Sequence, residues 1–279
     1  MKKIMLFVVT AVLLISPLVA ASTMTSSEET YPQRDIPKTT SNFTHTVFIE
    51  EGTATWCPSC PNAAEALFSI YNSSDYPFYY VALVYDQTKL GKDRMYGHYR
   101  GFAFPTIFID GGFSQKVGGA STPQLVEQLY RPLIEEAGAR TVHPLEITTN
   151  VTGHGDAKLE ITVTVKNTGN KPYIGILRSY VTEIVSRWDT LQGHPYHFAL
   201  LDYAIKKIIF ISPQKTQTYT ATFDGAAQHG NLTFPDIVDN NIMVISTVSH
   251  WQPHMIVKEQ YVGAHLAFYI DQVTGAKVN

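Results

Sequence analysis

The chain holds two cysteines in 279 residues, and both fall in one tetrapeptide, Cys57-Pro58-Ser59-Cys60, with Trp56 before it and Pro61 after it. With no third cysteine, each sulfur bonds only to the other or to a thiol of another molecule, so the spacing points to thiol–disulfide exchange. A zinc site would need two further ligands, and a disulfide framework would use more bridges. At a strand-to-helix junction, the unpaired backbone N–H groups of the helix start and the positive end of its dipole favour thiolate over thiol at Cys57. Cys60, one turn later and less exposed, is then placed to resolve an intermolecular mixed disulfide into an intramolecular one. Pro58 and Ser59 carry no positive charge, so Cys57 is expected to titrate in the upper half of the roughly 3.5–7.5 range of such sites, which makes the pair a moderate oxidant. The competing reading is a purely structural disulfide, but so small a ring does little to restrict the unfolded chain.

The elements that must position this pair follow from apolar spacing. β-Branched and aromatic residues from Thr46 to Ile49 predict a strand, and Ala63, Ala66, Leu67, Ile70 and Tyr71 lie at helical spacing over 62–71. Pro77 precedes a strand over Phe78 to Val84, and residues 86–101 hold a short helix with Leu90, Met95 and Tyr99 inward. The run from Phe104 to Ile109 predicts a strand entered through Pro105 and closed by an Asp110-Gly111-Gly112 turn, with Phe113 to Val117 as its hairpin partner. Thr122-Pro123 is a helix start, and Leu125, Leu129 and Leu133 form its expected buried stripe. Past Gly138 the period changes to two. Strand-like runs near 145–151, 159–166, 173–185, 203–211, 216–223, 242–249 and 255–262, with turn signals between them, predict a β-sandwich of immunoglobulin type.

Trp56-Cys57-Pro58-Ser59-Cys60 between strand and helix, with Phe104-Pro105-Thr106 opening a later strand, resembles the thioredoxin superfamily over roughly residues 42–139. The resemblance implies an α/β thioredoxin fold there, a mixed central sheet flanked by helices, followed by an all-β immunoglobulin-like sandwich domain over 140–279. That pairing is similar to a group of secreted prokaryotic two-domain proteins. It also implies roles. Pro105 corresponds to the family's cis-proline, whose neighbouring backbone pairs with a substrate strand, and with Trp56, Pro58 and Phe104 it lines the substrate groove. Glu51, six residues before Cys57, stands where related folds place a buried acid that relays a proton to or from the resolving cysteine. The alternatives are a solvated glutamate at a strand end or the neighbouring Glu50 in that role.

Lys2 and Lys3, the apolar run from Ile4 to Leu14, Pro17 and the small residues Ala20 and Ala21 predict a secretory signal over 1–21, too short for a membrane span. A Ser-, Thr- and Glu-rich stretch over 22–41, with Pro32 and Pro37, predicts a linker. Without the signal, 19 basic residues face 24 acidic ones, a net charge of −5, which argues against nucleic acid or an anionic membrane as partner. Sequons at Asn42, Asn72, Asn150 and Asn231 are compatible with an extracytoplasmic chain, whether secreted, periplasmic or bound to the envelope. His194 and His197, and His250 and His254, are spaced like metal ligands, but Pro195 and Pro253 interrupt each pair, so no metal is expected. Trp188 and Trp251 read as core residues. No nicotinamide or flavin fingerprint is present, so no cofactor is expected, and electrons pass to or from a separate redox partner. The sequence therefore predicts an exported thiol–disulfide oxidoreductase acting on protein substrates that carry thiols or disulfides. The alternative is an envelope or surface binding protein in which the sandwich binds a partner and the cysteine module is a platform.

Overall fold

The computed structural model describes residues 42–101, 103–258 and 261–279, and the side chains of these outside 254–266; the expected signal and linker lie outside them. Strand β1 (Val47–Thr53) is buried along its whole length. It lies between β2 (Phe78–Val84), parallel to it with Val47 opposite Phe78, and β3 (Thr106–Ile109), antiparallel with Glu51 opposite Ile107. A strand paired on both edges and covered on both faces needs no polar alternation, which is why β1 opens and β2 runs as continuous apolar sequence. β4 (Ser114–Val117) completes the hairpin expected after the Asp110 turn.

Helix α1 (Cys60–Ser73) buries Ala63, Ala66, Leu67, Ile70 and Tyr71, as the spacing predicts. Residues 89–98 form a single turn, α2 (Lys89–Lys92), that runs on into a π-helical turn over Asp93–His98. In α3 (Pro123–Gly138) the Thr122 side chain caps the Leu125 N–H, but the buried stripe is Val126, Tyr130, Ile134 and Ala137. The leucine stripe expected there is displaced by one position, and Leu125 and Leu129 are 44% and 38% exposed. Adjacent stripes share the same four-residue spacing, and Tyr130 brings the larger apolar surface inward.

The second half of the chain supplies four 17-residue strands: β7 (Tyr173–Asp189), β8 (Pro195–Ile211), β10 (Ile242–Lys258) and β11 (Tyr261–Lys277). β8 pairs with β2 in parallel at Ala82 and Ala199, so one eight-stranded mixed sheet runs in the order β11-β10-β7-β8-β2-β1-β3-β4. β5 (Leu145–Gly153), β6 (Lys158–Asn167) and β9 (Thr216–Asp224) form a separate three-stranded sheet. Its inward residues Leu159, Ile161, Val163 and Val165 share a core with Leu177, Val181, Leu201 and Val244 of the large sheet.

This arrangement overturns the expected fold class. The molecule is mostly β, with eleven strands and three α-helices among the described residues, and it is not an α/β thioredoxin fold joined to a separate immunoglobulin-like sandwich. The layer beneath the three-stranded sheet is the continuation of the sheet that carries the cysteine loop. Alternation along a strand reports which residues face inward, not which edge finds which partner. β8 begins at Pro195, well before the expected Tyr203, and its early residues Tyr196 and Ala199 pack with Ala82 and Val84 of β2. β11 continues far beyond the last expected strand.

β11 also closes on the β3–β4 turn, where the Phe268 and Ile270 N–H groups each donate at 3.3 Å to the Gly111 and Asp110 carbonyls. A Cβ on Gly111, at φ +68°, would overlap the Phe268 carbonyl, so the seal requires glycine. The buried Asp110 carboxylate accepts from the Phe48 N–H at 3.0 Å and pairs with His45 at 2.6 Å and Arg140 at 3.1 Å. Among the described residues no helix is long and apolar enough to cross a membrane.

Candidate active site

Because successive side chains on a strand point to opposite faces, Glu50 and Glu51 of β1 enter different environments although both are fully buried. Glu50 accepts two hydrogen bonds from Arg94, Nε at 2.8 Å and Nη2 at 2.7 Å, one from the Tyr180 hydroxyl at 3.2 Å, and one from the Tyr99 hydroxyl. Burial alone would push its carboxyl up, but the Arg94 charge and the hydrogen bonds from Arg94 and Tyr99 outweigh it and hold the pKa below the usual range. Glu50 is therefore a structural anion and is excluded as a proton relay. Glu51 has no such partner: both carboxyl oxygens are buried without a hydrogen bond, and burial raises the pKa to about 8. The hydroxyls of Tyr80 and Tyr130, whose own pKa values burial and the Glu51 charge push up, are likewise buried without a partner.

After β1 the chain turns through Ala54 to Ser59 and enters α1 at Cys60. Cys57 and Cys60 are joined as a disulfide with their Cα atoms 5.4 Å apart. Cys57 thus lies in the turn that leads into the helix, and Cys60 is the first helical residue, followed by Pro61. Ser59 makes no side-chain cap, so its hydroxyl does not satisfy the orphan N–H groups of the first turn. The Cys57 N–H donates to the Ala54 carbonyl at 3.1 Å. Ala54 also packs against both cysteines, with Tyr85 and Phe104 closing the cluster. In this oxidised state Cys57 is 2% exposed, less open than a nucleophile was expected to be.

Of the expected groove residues, Trp56 and Phe104 meet, Pro105 adjoins Phe104, and Pro58 is exposed in the cysteine loop. The Phe104–Pro105 bond is cis. Trp56, 54% exposed, stands edge-on to Phe104 with ring centroids 5.6 Å apart. Sequence reasoning missed two further rings: Phe104 packs on Tyr85 at 5.1 Å, and Tyr85 on Tyr96 of the π-helical turn at 4.9 Å. The far wall is the β4–α3 loop, where a Cβ on Gly119 would lie 3.6 Å from the Pro105 ring and 3.7 Å from the Ser59 carbonyl.

A third missed residue is Tyr196 of β8, which is fully buried. Its hydroxyl accepts from Thr53 Oγ1 and donates to the Ala54 carbonyl, both at 3.0 Å, the same carbonyl that receives the Cys57 N–H. No local pattern flags it, because a tyrosine in a predicted strand reads as packing. Tyr196→Phe keeps the ring and removes the anchor. The expected cost is about 1–2 kcal/mol in denaturant melts, together with a shifted titration of the Cys57 thiol in the reduced protein. An unshifted thiol would reduce Tyr196 to a packing residue.

The tempting histidines lie elsewhere. His197 stacks on Phe68 with centroids 3.4 Å apart, and burial lowers its pKa to about 4, so it is neutral. With His194, Pro61 and Glu65 it lines a cleft of about 430 Å³ between α1 and the β7–β8 turn. Trp188 packs against both adjoining core clusters, and Trp251 lies against Phe268 at 6.0 Å. His254 lies outside the described side chains.

No family model matches the chain, and no curated protein matches it. Among solved structures, HBP35 of Porphyromonas gingivalis is similar with a TM-score of 0.57 at 15% identity, over 85% of this chain and 76% of that one. Protein AGR_C_4864 of Agrobacterium tumefaciens gives a TM-score of 0.44 at 16% identity, over 84% of this chain and 96% of that one, too distant to carry an argument. The likeness to HBP35 is one of fold alone. With the cysteine loop carried by one large eight-stranded sheet in a mostly β molecule, the identification with the thioredoxin superfamily does not stand.

Proposed function

We propose that the chain is an extracytoplasmic thiol–disulfide oxidoreductase acting on protein substrates. The observation that carries this reading is the sole cysteine pair, joined as a disulfide at the start of α1, just after the strand β1 that buries an unpartnered carboxyl at Glu51. In the oxidising direction, a substrate thiolate attacks Cys57 Sγ, the Cys57–Cys60 bond breaks, and Cys60 leaves and takes a proton. A second substrate thiolate then attacks the substrate sulfur of the mixed disulfide and expels Cys57 as a thiolate, so the substrate gains a disulfide and the enzyme gains two electrons, with one proton on Cys60. Reduction is the same path reversed. With a pKa near 8, Glu51 holds a proton at neutral pH and releases it readily, which suits a group that supplies Cys60 on opening and receives its proton on closure.

The half-exposed rings of Trp56, Phe104, Tyr85 and Tyr96 beside Cys57 favour an extended polypeptide with apolar side chains over a small charged thiol. A disulfide persists in oxidising compartments, and all four sequon asparagines are exposed, which supports a place outside the cytoplasm. A separate thiol or disulfide partner recharges the pair. Cys60→Ser removes the resolving sulfur and leaves Cys57 to attack. Expressed with its signal, this variant is expected to accumulate reductant-sensitive adducts through Cys57 with other exported proteins, and adducts absent under conditions that trap other oxidoreductases would sink the proposal.

A further inference from the structure

Three residues far apart in sequence meet away from the cysteines: His143 before β5, His250 on β10 and Asp271 on β11. One nitrogen or oxygen from each lies within 4.8 Å of the others. We propose that they form a binding site for a divalent transition metal of the zinc type. Asp271 is fully buried, and its carboxylate organises the other two. Its Oδ1 accepts the His143 backbone N–H at 3.1 Å, and its Oδ2 lies 2.7 Å from His250 Nδ1 and accepts the Tyr173 hydroxyl at 2.8 Å. The two imidazoles meet edge to face with centroids 4.8 Å apart.

Two imidazoles and one carboxylate are the borderline donor set that suits Zn²⁺ and leaves open positions for water. Ligands at about 2.0–2.1 Å from one ion stand no more than about 4.2 Å apart. The three atoms lie within 4.8 Å of one another, so binding asks for an adjustment of about 0.6 Å (4.8 − 4.2), which falls to His143, the exposed member of the set. His250 Nδ1 and Asp271 Oδ2, 2.7 Å apart, would widen toward the roughly 3.3 Å that separates two ligands of a tetrahedral ion, the metal taking the place of their hydrogen bond. Arg140, whose charge reaches Tyr173, is already engaged by the Asp110 carboxylate and the Phe113 and Tyr269 rings. A bound ion would staple the segment after α3 to the β10–β11 hairpin. The sequence spacing set His250 beside His254, and the fold sets it instead beside His143.

The test is titration of the full chain with Zn²⁺, with the disulfide kept intact so that the cysteines cannot bind the ion. The expected result is one Zn²⁺ per chain, bound more than about tenfold more weakly by both His143→Ala and His250→Ala, while Mg²⁺ does not compete. Zn²⁺ is also expected to raise the thermal midpoint of the wild type and not of His143→Ala, whose exposed side chain touches the core only through the edge of Tyr173; should His250→Ala fail to fold, this variant decides alone. No uptake, or uptake that survives these substitutions because it lies at other surface histidines, overturns the proposal.

Discussion

Glu51→Gln is expected to abolish a steep pH dependence of stability. Burial raises the Glu51 carboxyl from 4.5 to about 8, so the folded chain keeps a proton that the unfolded chain gives up. This group's contribution is fully present below about pH 4.5, is lost as pH rises toward 8, and levels off once the carboxylate is charged in both states. The whole loss amounts to roughly 4–5 kcal/mol. Glutamine has the same shape and never ionises, so the variant should match the wild type near pH 4 and exceed it by most of that amount at pH 9. Denaturant melts across this range, with the disulfide intact, check the sign and the size. Parallel wild-type and variant curves would show that the carboxyl is solvated. In the exchange reaction the same variant should lose a titration near pH 8 from the step that opens or closes the Cys57–Cys60 bond, with a rate loss of about 10²-fold or more.

Arg94→Met is expected to destabilise the fold by roughly 3–5 kcal/mol, because it leaves the fully buried Glu50 carboxylate without its paired cation. The Arg94 and Glu50 side chains are 5% and 0% exposed, so screening by solvent is negligible. Hydrogen bonds from Tyr99 and Tyr180 would remain and the Arg178 charge would still favour the carboxylate, but none of these replaces the paired guanidinium. Adding Glu50→Gln to the variant should recover most of the loss, since an amide is far cheaper to bury than an unpaired ion. A double-mutant cycle read by denaturant melts measures the coupling. A single-variant loss below about 1 kcal/mol would mean that the pair behaves like a surface salt bridge.

These two acids mark where sequence reasoning stopped. The elements nearest the cysteines were legible because each is set locally: α1 by its apolar spacing, the β3–β4 hairpin by Asp110-Gly111-Gly112, the start of α3 by Thr122-Pro123. Counting left each cysteine only the other or an outside thiol, and the fold joins the two. Glu50 and Glu51 are neighbours with the same side chain, and only strand alternation together with Arg94, 44 residues away, separates a fixed anion from a titrating acid. Tyr196 lies 142 residues from the carbonyl that it holds, and His143 and Asp271 lie 128 residues apart. The fold class failed for the same reason. Seven amphipathic runs predict strands, but the joining of β8 to β2 rests on a parallel contact at Ala82 and Ala199 that no local signal encodes.

That joint has a consequence for how substrates reach Cys57. β8 grips β2 on one side of the cysteine loop and β11 is sealed to the Asp110 turn on the other, so among the described residues the disulfide rides on a frame without a hinge. On the proposed chemistry, such a frame cannot swing toward a client; the client must thread its own sulfur between Trp56 and Phe104. Slack, loosely folded chains would then react long before compact ones, and discrimination would come from the client's floppiness rather than from any recognised motif.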